Sequence, residues 1–409
     1  MPRTLSAKAR PKLKPARAPR VAPAPRTGKA SKPSAASPAA APILGTLPAL
    51  APAQIRKLLL TWYRAQRRDL PWRRTPTLYP VMLSEYMLQQ TRVDQALPYY
   101  ARFLDAFPTL PDLAAAPLDR VLKLWEGLGY YARARNLHKA AQHLVTKQLP
   151  AAADLDDCPG IGPYMRAAIG SIVFNEALPV IDGNVNRVLA RVLALDVPPQ
   201  DKPARARLLE VLYTWIDADA PGDFNQAVME LGALVCAPRS PSCLLCPLAE
   251  ACAARKAGRP ESYPLRLPKP ARPHKDLVAA VIQRQDGRVL IAQRPATGLL
   301  ASLWEFPTAT AAKGEDLPAA CARAAQEKVG LNVRIGATLA SVEHGFTHFQ
   351  ATLHGFACTP KPGKGVSTEP RALGCQKVVW VTPVELSSYA FPRFQWKWIK
   401  ELQAGRKKS

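Results

Sequence analysis

The chain has 409 residues, a length that accommodates two ordinary domains. Its 56 Lys and Arg residues exceed its 31 Asp and Glu residues by 25, which predicts a polyanionic partner, nucleic acid before an acidic membrane surface. No uninterrupted apolar run reaches the length of a transmembrane helix, so an integral membrane protein is not expected.

The N-terminal 50 residues carry ten Pro, ten Lys or Arg and no acidic residue. Such a segment cannot bury enough apolar surface to offset the entropy of ordering, so we expect a disordered tail that adds non-specific affinity for nucleic acid. An organellar transit peptide would need an amphipathic helix, which the prolines disfavour.

Residues 51–235 show the apolar spacing of helices. One stripe follows positions 93, 97, 100, 104 and 107. A second helix is expected around Val121–Leu128, ended by glycines, and a third after Asp182. This region is therefore predicted to be mainly α-helical.

The periodicity changes after residues 255–275, a proline-rich basic stretch that we interpret as a linker. Leu277–Ile282 and Val289–Ala292 flank Asp286-Gly287, which predicts a β-hairpin. A helix at 317–328 and strands at 331–343, 348–357 and 378–381 complete a predicted α+β domain over 276–402. Residues 403–409 are expected to be a second basic tail.

Four of the eight cysteines, Cys236, Cys243, Cys246 and Cys252, have the spacing C-x6-C-x2-C-x5-C within a loop over 236–254. A long chain without a secretory signal favours metal ligands over disulfides and a reducing, cytoplasmic compartment. Four thiolates suit either a [4Fe–4S] cluster or a tetrahedral zinc ion, and spacing alone does not separate them. The other four cysteines are interpreted as packing residues.

A turn at Pro159-Gly160-Ile161-Gly162 separates two helical patterns, and Pro163 suits the first position of the second helix. Glycines allow a ligand close to the backbone, and a helix N-terminus presents free N–H groups. The segment is a candidate phosphate site, although an ordinary helix–turn–helix corner has the same pattern.

Two carboxylates are candidates for acid catalysis. Glu85 is expected near the start of a helix with apolar neighbours, and Asp182 directly before another helix. Cleavage of an N-glycosidic bond needs one acid that protonates the leaving base and one carboxylate that stabilises the sugar cation. Each has an ordinary alternative: a helix N-cap for Asp182 and a solvent-facing first-turn acid for Glu85.

Together these segments resemble the helix–hairpin–helix DNA glycosylase superfamily and, within it, the adenine DNA glycosylase (MutY) family. The matching stretches cover most of residues 60–252 and are LPWR (70–73), LSEYMLQQT (83–91), LWEGLGYYARARNL (124–137), PGIGPY (159–164), IDGNV (181–185), FNQAVMELGALVC (224–236) and the four-cysteine loop. The resemblance implies a mainly α catalytic region with a [4Fe–4S] cluster on the four cysteines.

The resemblance also implies roles for individual residues. Glu85 corresponds to the acid that protonates adenine N7, and Asp182 to the carboxylate that stabilises or transiently bonds the sugar cation. Base extrusion is expected because the bond is inaccessible inside a duplex. Further positions are expected to line the adenine pocket (Tyr164, Asn184), grip adenine (Arg68, Glu230), wedge into the base stack (Gln90, Tyr130) or bind substrate and DNA (Trp72, Arg73, Leu88, Thr91, Gly160, Gly162).

Tyr164 occupies the position where related endonuclease III enzymes carry a nucleophilic Lys. Tyr cannot form an imine, so the resemblance implies a glycosylase without efficient strand cleavage. Asn186 stands where some family members have a Lys that traps the abasic product, and that side reaction is also expected to be absent.

The C-terminal domain resembles the Nudix (MutT-like) fold. Nudix hydrolases hold Mg²⁺ with several acidic residues, but the corresponding helix here, CARAAQEKVGL, has little beyond Glu327. We therefore expect a domain that binds its ligand without pyrophosphatase activity. Phe346, Thr347 and His348 match the family segment that reads 8-oxoguanine, although a strand with alternating burial has the same pattern.

The favoured hypothesis is a monomeric enzyme that removes adenine opposite 8-oxoguanine or guanine in double-stranded DNA, without a membrane partner. The alternatives are an endonuclease III-like glycosylase/lyase for oxidised pyrimidines and a non-catalytic damage-binding protein. Tyr164 and the second domain disfavour the first alternative, and the intact pair Glu85 and Asp182 disfavours the second.

Overall fold

The structure is a computed structural model that describes residues 45, 48–147, 150–265, 267, 271–362 and 369–405. The predicted N-terminal tail lies outside the described residues except for positions 45 and 48–50, and of the predicted C-terminal tail only 403–405 are described. None of the described helices combines the length and apolar character needed to cross a bilayer.

The N-terminal region is helical, as the apolar spacing predicts. In the described residues its α-helices are α1 Pro52–Gln66, α2 Pro71–Arg74, α3 Leu78–Leu88, α4 Val93–Ala106, α5 Leu110–Ala115, α6 Leu118–Trp125, α7 Ala132–Leu144, α8 Pro163–Phe174, α9 Gly183–Val192, α10 Lys202–Trp215, α11 Pro221–Leu234 and α12 Ala253–Lys256.

Local signals explain where the helices of the site begin. Helix α8 starts with Pro163 at its first position, where a missing N–H loses no helical hydrogen bond. Helix α9 starts after Asp182, whose side chain accepts a hydrogen bond from the N–H of Val185 as an N-cap.

The expectation that Glu85 lies near the start of a helix is wrong. Helix α3 begins at Leu78, so Glu85 lies in its last turn. The sequence obscured this start because Pro80 interrupts the apolar pattern. At the third helical position, however, a proline needs no intrahelical hydrogen-bond partner.

The helices form two hydrophobic cores. One includes residues of α2 to α7 and buries Trp125 and Phe103; the other joins α1, α9, α10 and α11 around Leu189 and Phe224. Tyr164, on α8, packs against both cores. A cleft whose walls come from both halves can therefore open beside this tyrosine.

The C-terminal region is an α+β domain. Its strands are β1 His274–Ile282, β2 Val289–Gln293, β3 Trp304–Glu305, β4 Thr308–Thr310, β5 Val333–Thr338, β6 Val342–Gly345, β7 Gln350–Pro360 and β8 Lys377–Val381, with helices α13 Leu317–Val329 and α14 Trp396–Ala404. Alternate residues of β1 face two different cores, one containing Trp398 and the other α13. Both faces of this strand are therefore covered.

The predicted chain reversal between β1 and β2 is present, but the prediction that the two strands pair as a hairpin is wrong. Gln283 pairs with Val289 at the turn, but β1 then joins β4 and β7 in one sheet, while β2 joins β3 and β8 in another. Alternation and an Asp-Gly turn specify a chain reversal, not the partner of each strand. The predicted strand 331–343 is likewise two strands, β5 and β6, which both pair with β7.

Strand β7 passes directly beneath the indole of Trp398. A Cβ atom at Gly355 would lie 2.7 Å from Cε2 of that buried ring. We expect Gly355→Ala to lower the free energy of unfolding by about 1–3 kcal/mol because the added methyl group overpacks the core, which urea denaturation measures. Gly345→Ala on β6, which meets open space, is the matched control. Equal losses in both variants would contradict this account of the packing.

Candidate active site

A cleft of about 830 Å³ opens between the two helical cores. Its volume falls within the range of about 300–1,000 Å³ that is usual for ligand pockets. Its lining contains Arg68, Trp72, Arg73, Glu85, Leu88, Thr91, Tyr164, Asp182, Asn184 and Glu230, all singled out from the sequence. The helical fold thus brings together ten residues from five separate parts of the chain.

Glu85 is the buried acid of this cleft, with 7% of its surface exposed. Burial raises the pKa of its carboxyl group to about 7, and the Tyr164 hydroxyl as a hydrogen-bond partner partly opposes that rise. Neighbouring Asp182 raises the pKa further, whereas Arg73 lowers it. Near neutral pH the group is therefore poised to hold or release a proton.

Asp182 lies at the N-terminus of α9, where its carboxylate is held on both oxygens. One accepts the N–H of Val185 at 2.7 Å, and the other accepts Nδ2 of Asn184 at 3.0 Å. Burial raises the pKa of Asp182, and these donors oppose the rise because they stabilise the ionised form. The ordinary N-cap role and a place in the cleft are therefore combined in one residue.

Tyr164 occupies the second position of α8, and its hydroxyl donates to Sδ of Met229 at 3.4 Å. Burial, followed by the charges of Glu85 and Asp182, raises its pKa well above the usual value. The hydroxyl therefore keeps its proton and acts as a donor within the cleft.

The turn before α8 approaches a neighbouring helix closely. Gly160 has φ +80°, and a Cβ there would lie 2.5 Å from Nδ2 of Asn136 on α7. Gly162 is exposed and precedes the helix without a side-chain cap, so the first N–H groups of α8 are free of a capping side chain.

Glu230 anchors one wall of the cleft. Arg68 donates to its two oxygens at 2.9 and 2.7 Å, and Arg73 donates to both at 3.0 Å. Burial alone would raise the pKa of Glu230, but these hydrogen bonds bring it down to about 2. Arg73 and Glu230 are thus committed to this network, and Trp72 is buried edge-on to Tyr100.

The two candidate wedge residues share an unusual backbone conformation. Gln90 has φ +57° and Tyr130 has φ +48°, in the left-handed region that non-glycine residues seldom adopt. Gln90 is exposed, and 49% of the Tyr130 surface is accessible. Both side chains therefore project from tight turns rather than from regular helices.

Arg133, which was not among the candidate residues, links these two turns. Its guanidinium donates to the carbonyl oxygens of Met87 and Gln89 and to the hydroxyl of Thr91, and on its other side to the carbonyls of Leu128 and Gly129. It is only 5% exposed. An arginine within a helical pattern normally indicates a solvated face, so no sequence signal pointed to it.

The four cysteines of the predicted cluster loop line one cavity. Arg191 lies against it, with Nη1 3.3 Å from Sγ of Cys236 and 2.7 Å from the carbonyl of Ala237. Arg187 donates both to the carbonyl of Cys236 and to Oδ1 of Asn184. Within the described residues, no group of three or more His, Cys, Asp or Glu side chains is arranged to hold a metal ion. Helix α9 therefore connects the cysteine loop to the Asp182 side of the cleft.

The candidate base-reading segment lies at the turn between β6 and β7. Thr347 and His348 are exposed, whereas Phe346 is buried and stacks on Phe349 with 4.4 Å between ring centroids. Phe346 could either wedge into the base stack or pack in the domain core, and its burial against Phe349 shows that it packs. Glu327 on α13 forms an ion pair with Arg323.

Two family models match the chain. Residues 83–213 match the model of HhH-GPD superfamily base excision DNA repair proteins, and residues 278–401 match the NUDIX domain. The chain is also similar to the human adenine DNA glycosylase, at 35% identity over 374 residues, which are 77% of this chain and 68% of the human protein. The chain belongs to the adenine DNA glycosylase family.

Other adenine DNA glycosylases show the same relationship. The Schizosaccharomyces pombe protein is 33% identical over 318 residues, 62% of this chain and 69% of that protein. The Arabidopsis thaliana protein is 38% identical over 298 residues, and the chain spans about half of its length (47%). The fold agrees with this family: a helical HhH-GPD region precedes a Nudix domain.

The burial of Glu85 has a consequence for stability. Because its pKa rises from 4.5 to about 7 on folding, the folded state binds more protons between those values, and the free energy of unfolding falls as pH increases through that window. We expect Glu85→Gln to remove this loss, so that the variant is more stable than the parent by roughly 3 kcal/mol at pH 8 and by much less at pH 5.

Urea denaturation at both pH values measures this difference. Glu210→Gln is the matched control, since Glu210 is exposed and paired with Arg207 at the surface. A stability gain for Glu85→Gln that is the same at pH 5 and pH 8 would show that Glu85 is not a buried acid with a raised pKa.

Proposed function

We propose that this protein hydrolyses the N-glycosidic bond of adenine that lies opposite 8-oxoguanine or guanine in double-stranded DNA, acting as a monomer. The observation that carries the proposal is the buried acid Glu85, with a pKa of about 7, beside Asp182 in one cleft. The two environments differ: burial dominates at Glu85, whereas Asp182 accepts hydrogen bonds on both of its oxygens. Such a difference separates an acid from a carboxylate that stays ionised.

In the proposed reaction, Glu85 transfers its proton to N7 of the extruded adenine. The bond between N9 and C1′ then breaks, and its electron pair leaves with the base. Asp182 stabilises the positive charge on the sugar, either through its field or by a transient bond to C1′. Water adds to C1′ and returns a proton to the Glu85 carboxylate, which restores the starting state.

Several features support DNA as the substrate. The net charge of +25 favours a polyanion, and the uncapped N-terminus of α8 after Gly162 suits a phosphate. Exposed Gln90 and Tyr130 project from tight turns and can enter the base stack as adenine leaves it. We assign reading of the opposite base to exposed Thr347 and His348 of the C-terminal domain.

Tyr164 determines the proposed class of glycosylase. A lyase forms an imine between an amine and C1′, and the cleft lining contains no Lys among the described residues. We therefore propose a monofunctional enzyme, with Asn186 in α9 also unable to trap the abasic sugar. The lyase and the non-catalytic binding protein remain the two alternatives that the assay must separate.

One assay separates the three possibilities. The full chain is incubated with duplexes that contain adenine opposite 8-oxoguanine, adenine opposite guanine, or thymine glycol, with and without alkali. We expect release of adenine and strand breakage only after alkali. Release of thymine glycol with spontaneous nicking would instead identify a lyase, and binding without base release a damage-binding protein.

Glu85→Gln keeps the size of the side chain but removes its acidic proton, so we expect adenine release to fall by at least about 100-fold, the usual scale of a lost general acid. DNA binding, measured by gel shift, should change little, and Glu210→Gln should retain full activity. Full activity of Glu85→Gln would refute its role as the acid. A high yield of borohydride-trapped covalent product would refute the monofunctional assignment.

We also propose that Cys236, Cys243, Cys246 and Cys252 hold a [4Fe–4S] cluster. Four thiols that line one cavity match the four Cys ligands of such a cluster, and Arg191 beside Cys236 favours thiolates. When bound, the cluster would crosslink the loop over 236–252 and so support α9 through the contacts of Arg187 and Arg191.

We expect Cys246→Ser to lose iron and acid-labile sulfide, and with them the visible absorption of the cluster, because one of its four ligands is replaced. Cys375→Ser is the control, since this half-buried cysteine lies in the C-terminal domain. The unaltered protein should contain about four irons per chain. Stoichiometric zinc in place of iron, or full iron in Cys246→Ser, would overturn the assignment.

A further inference from the structure

The turn that carries Tyr130 lies between the two domains. It connects α6 to α7 over residues 126–131, and three of its backbone positions have positive φ: Gly127 at +97°, Gly129 at +78° and Tyr130 at +48°. Glycine adopts positive φ without strain, but Tyr130 does so only where surrounding contacts hold its backbone there. The contacts at its two ends therefore decide where the Tyr130 side chain points.

Glu126, at the start of the turn, makes the first of these contacts, and no role has been assigned to it above. Its Oε1 accepts the backbone N–H of Phe391 at 2.8 Å and the indole N–H of Trp396 at 3.0 Å, both from the C-terminal domain. Its Oε2 pairs with Lys123 at 2.6 Å. The side chain is 15% exposed, so these hydrogen bonds are largely shielded from water.

The other end of the turn reaches the same C-terminal segment. The hydroxyl of Tyr131 donates to the carbonyl of Phe391 at 3.3 Å. Lys123, one helical turn before Glu126, donates to the carbonyl of Tyr389 at 3.0 Å and lies over the Trp396 ring at 4.9 Å. Residues 389–396 thus hold the turn from both sides.

Packing continues from this segment to the candidate base-reading turn. Phe394, between Phe391 and Trp396 in the chain, packs against Phe346 with 5.9 Å between ring centroids and against His344 at 5.1 Å. Phe346 immediately precedes Thr347 and His348. A continuous set of buried contacts therefore leads from the opposite-base turn to Glu126 and the Tyr130 turn.

We propose that Glu126 is a positioning residue that couples recognition of the opposite base by the C-terminal domain to insertion of Tyr130 into the base stack. This inference rests on the proposed function. A base bound at Thr347 and His348 fixes the 389–396 segment through Phe346 and Phe394. Glu126 transfers that restraint to the turn, so adenine is extruded more readily when its partner is 8-oxoguanine than when it is guanine.

The test compares single-turnover rates of adenine release opposite 8-oxoguanine and opposite guanine. We expect Glu126→Ala to lower the ratio of the two rates about tenfold, a size usual for coupling between separate sites. The rate opposite guanine should change by less than about twofold, because in the proposal Glu126 acts only through the bound partner base.

Two variants separate coupling from general loosening of the interface. Glu126→Gln keeps an oxygen that accepts both N–H groups, so it should restore the ratio although the ion pair with Lys123 is lost. Asp119→Ala removes a different interdomain hydrogen bond, the 2.8 Å contact from Nε2 of Gln293, without touching the turn, and should leave the ratio unchanged. If Glu126→Ala does not fold, Trp396→Phe removes one donor and should lower the ratio in the same direction.

A spectroscopic readout follows extrusion itself. In a Glu85→Gln background, 2-aminopurine placed opposite 8-oxoguanine should brighten on binding, and addition of Glu126→Ala should diminish that rise. An unchanged rate ratio and fluorescence in Glu126→Ala, or an equal loss in Asp119→Ala, would overturn the coupling alone. Absence of adenine release, or of any preference for 8-oxoguanine, in the unaltered protein would overturn the proposed function and this inference with it.

Discussion

The buried guanidinium of Arg133 is the interaction on which the geometry of the helical domain most depends. Helix α3 ends with backbone carbonyls that have no helical partner, and Arg133 supplies donors to those of Met87 and Gln89. The same group fixes the carbonyls of Leu128 and Gly129. Burial lowers the pKa of Arg133 to about 10, so the side chain still carries its charge at neutral pH. One cation thus determines the end of the helix that bears Glu85 and both turns that bear candidate wedge residues.

The residues of the acid pair and their tyrosine neighbour all lie at the ends of helices. Glu85 comes from the last turn of α3, Tyr164 from the first turn of α8 and Asp182 from the N-cap of α9. Helix ends meet at the cleft, where N–H groups favour the ionised form of Asp182 while burial favours the protonated form of Glu85. The difference between the two carboxyl groups therefore comes from where each lies on its helix.

Sequence signals were informative where the chemistry is local. Asp182 before a glycine and an apolar stripe predicted the start of α9, and Pro163 predicted that of α8. They failed where the partner is distant in the chain. The strands β1 and β2 separate into different sheets, and Arg133, Arg187 and Glu126 find their acceptors and donors only in the folded molecule. Motif resemblance grouped the cleft residues, but it did not reveal that Glu230 is committed to Arg68 and Arg73.

The left-handed conformations of Gln90 and Tyr130 lower the stability of the fold but keep two side chains that can enter the base stack. A glycine at either position would relieve backbone strain of about 1–3 kcal/mol, but it would leave nothing to enter the stack. The chain instead retains two unfavourable residues. Arg133 holds both of their turns, and residues 389–396 also hold the turn of Tyr130. Engineering for thermal stability that considered only backbone preference would replace these two residues with glycine. The variants would be more stable, but they would lack the side chains proposed to enter the base stack.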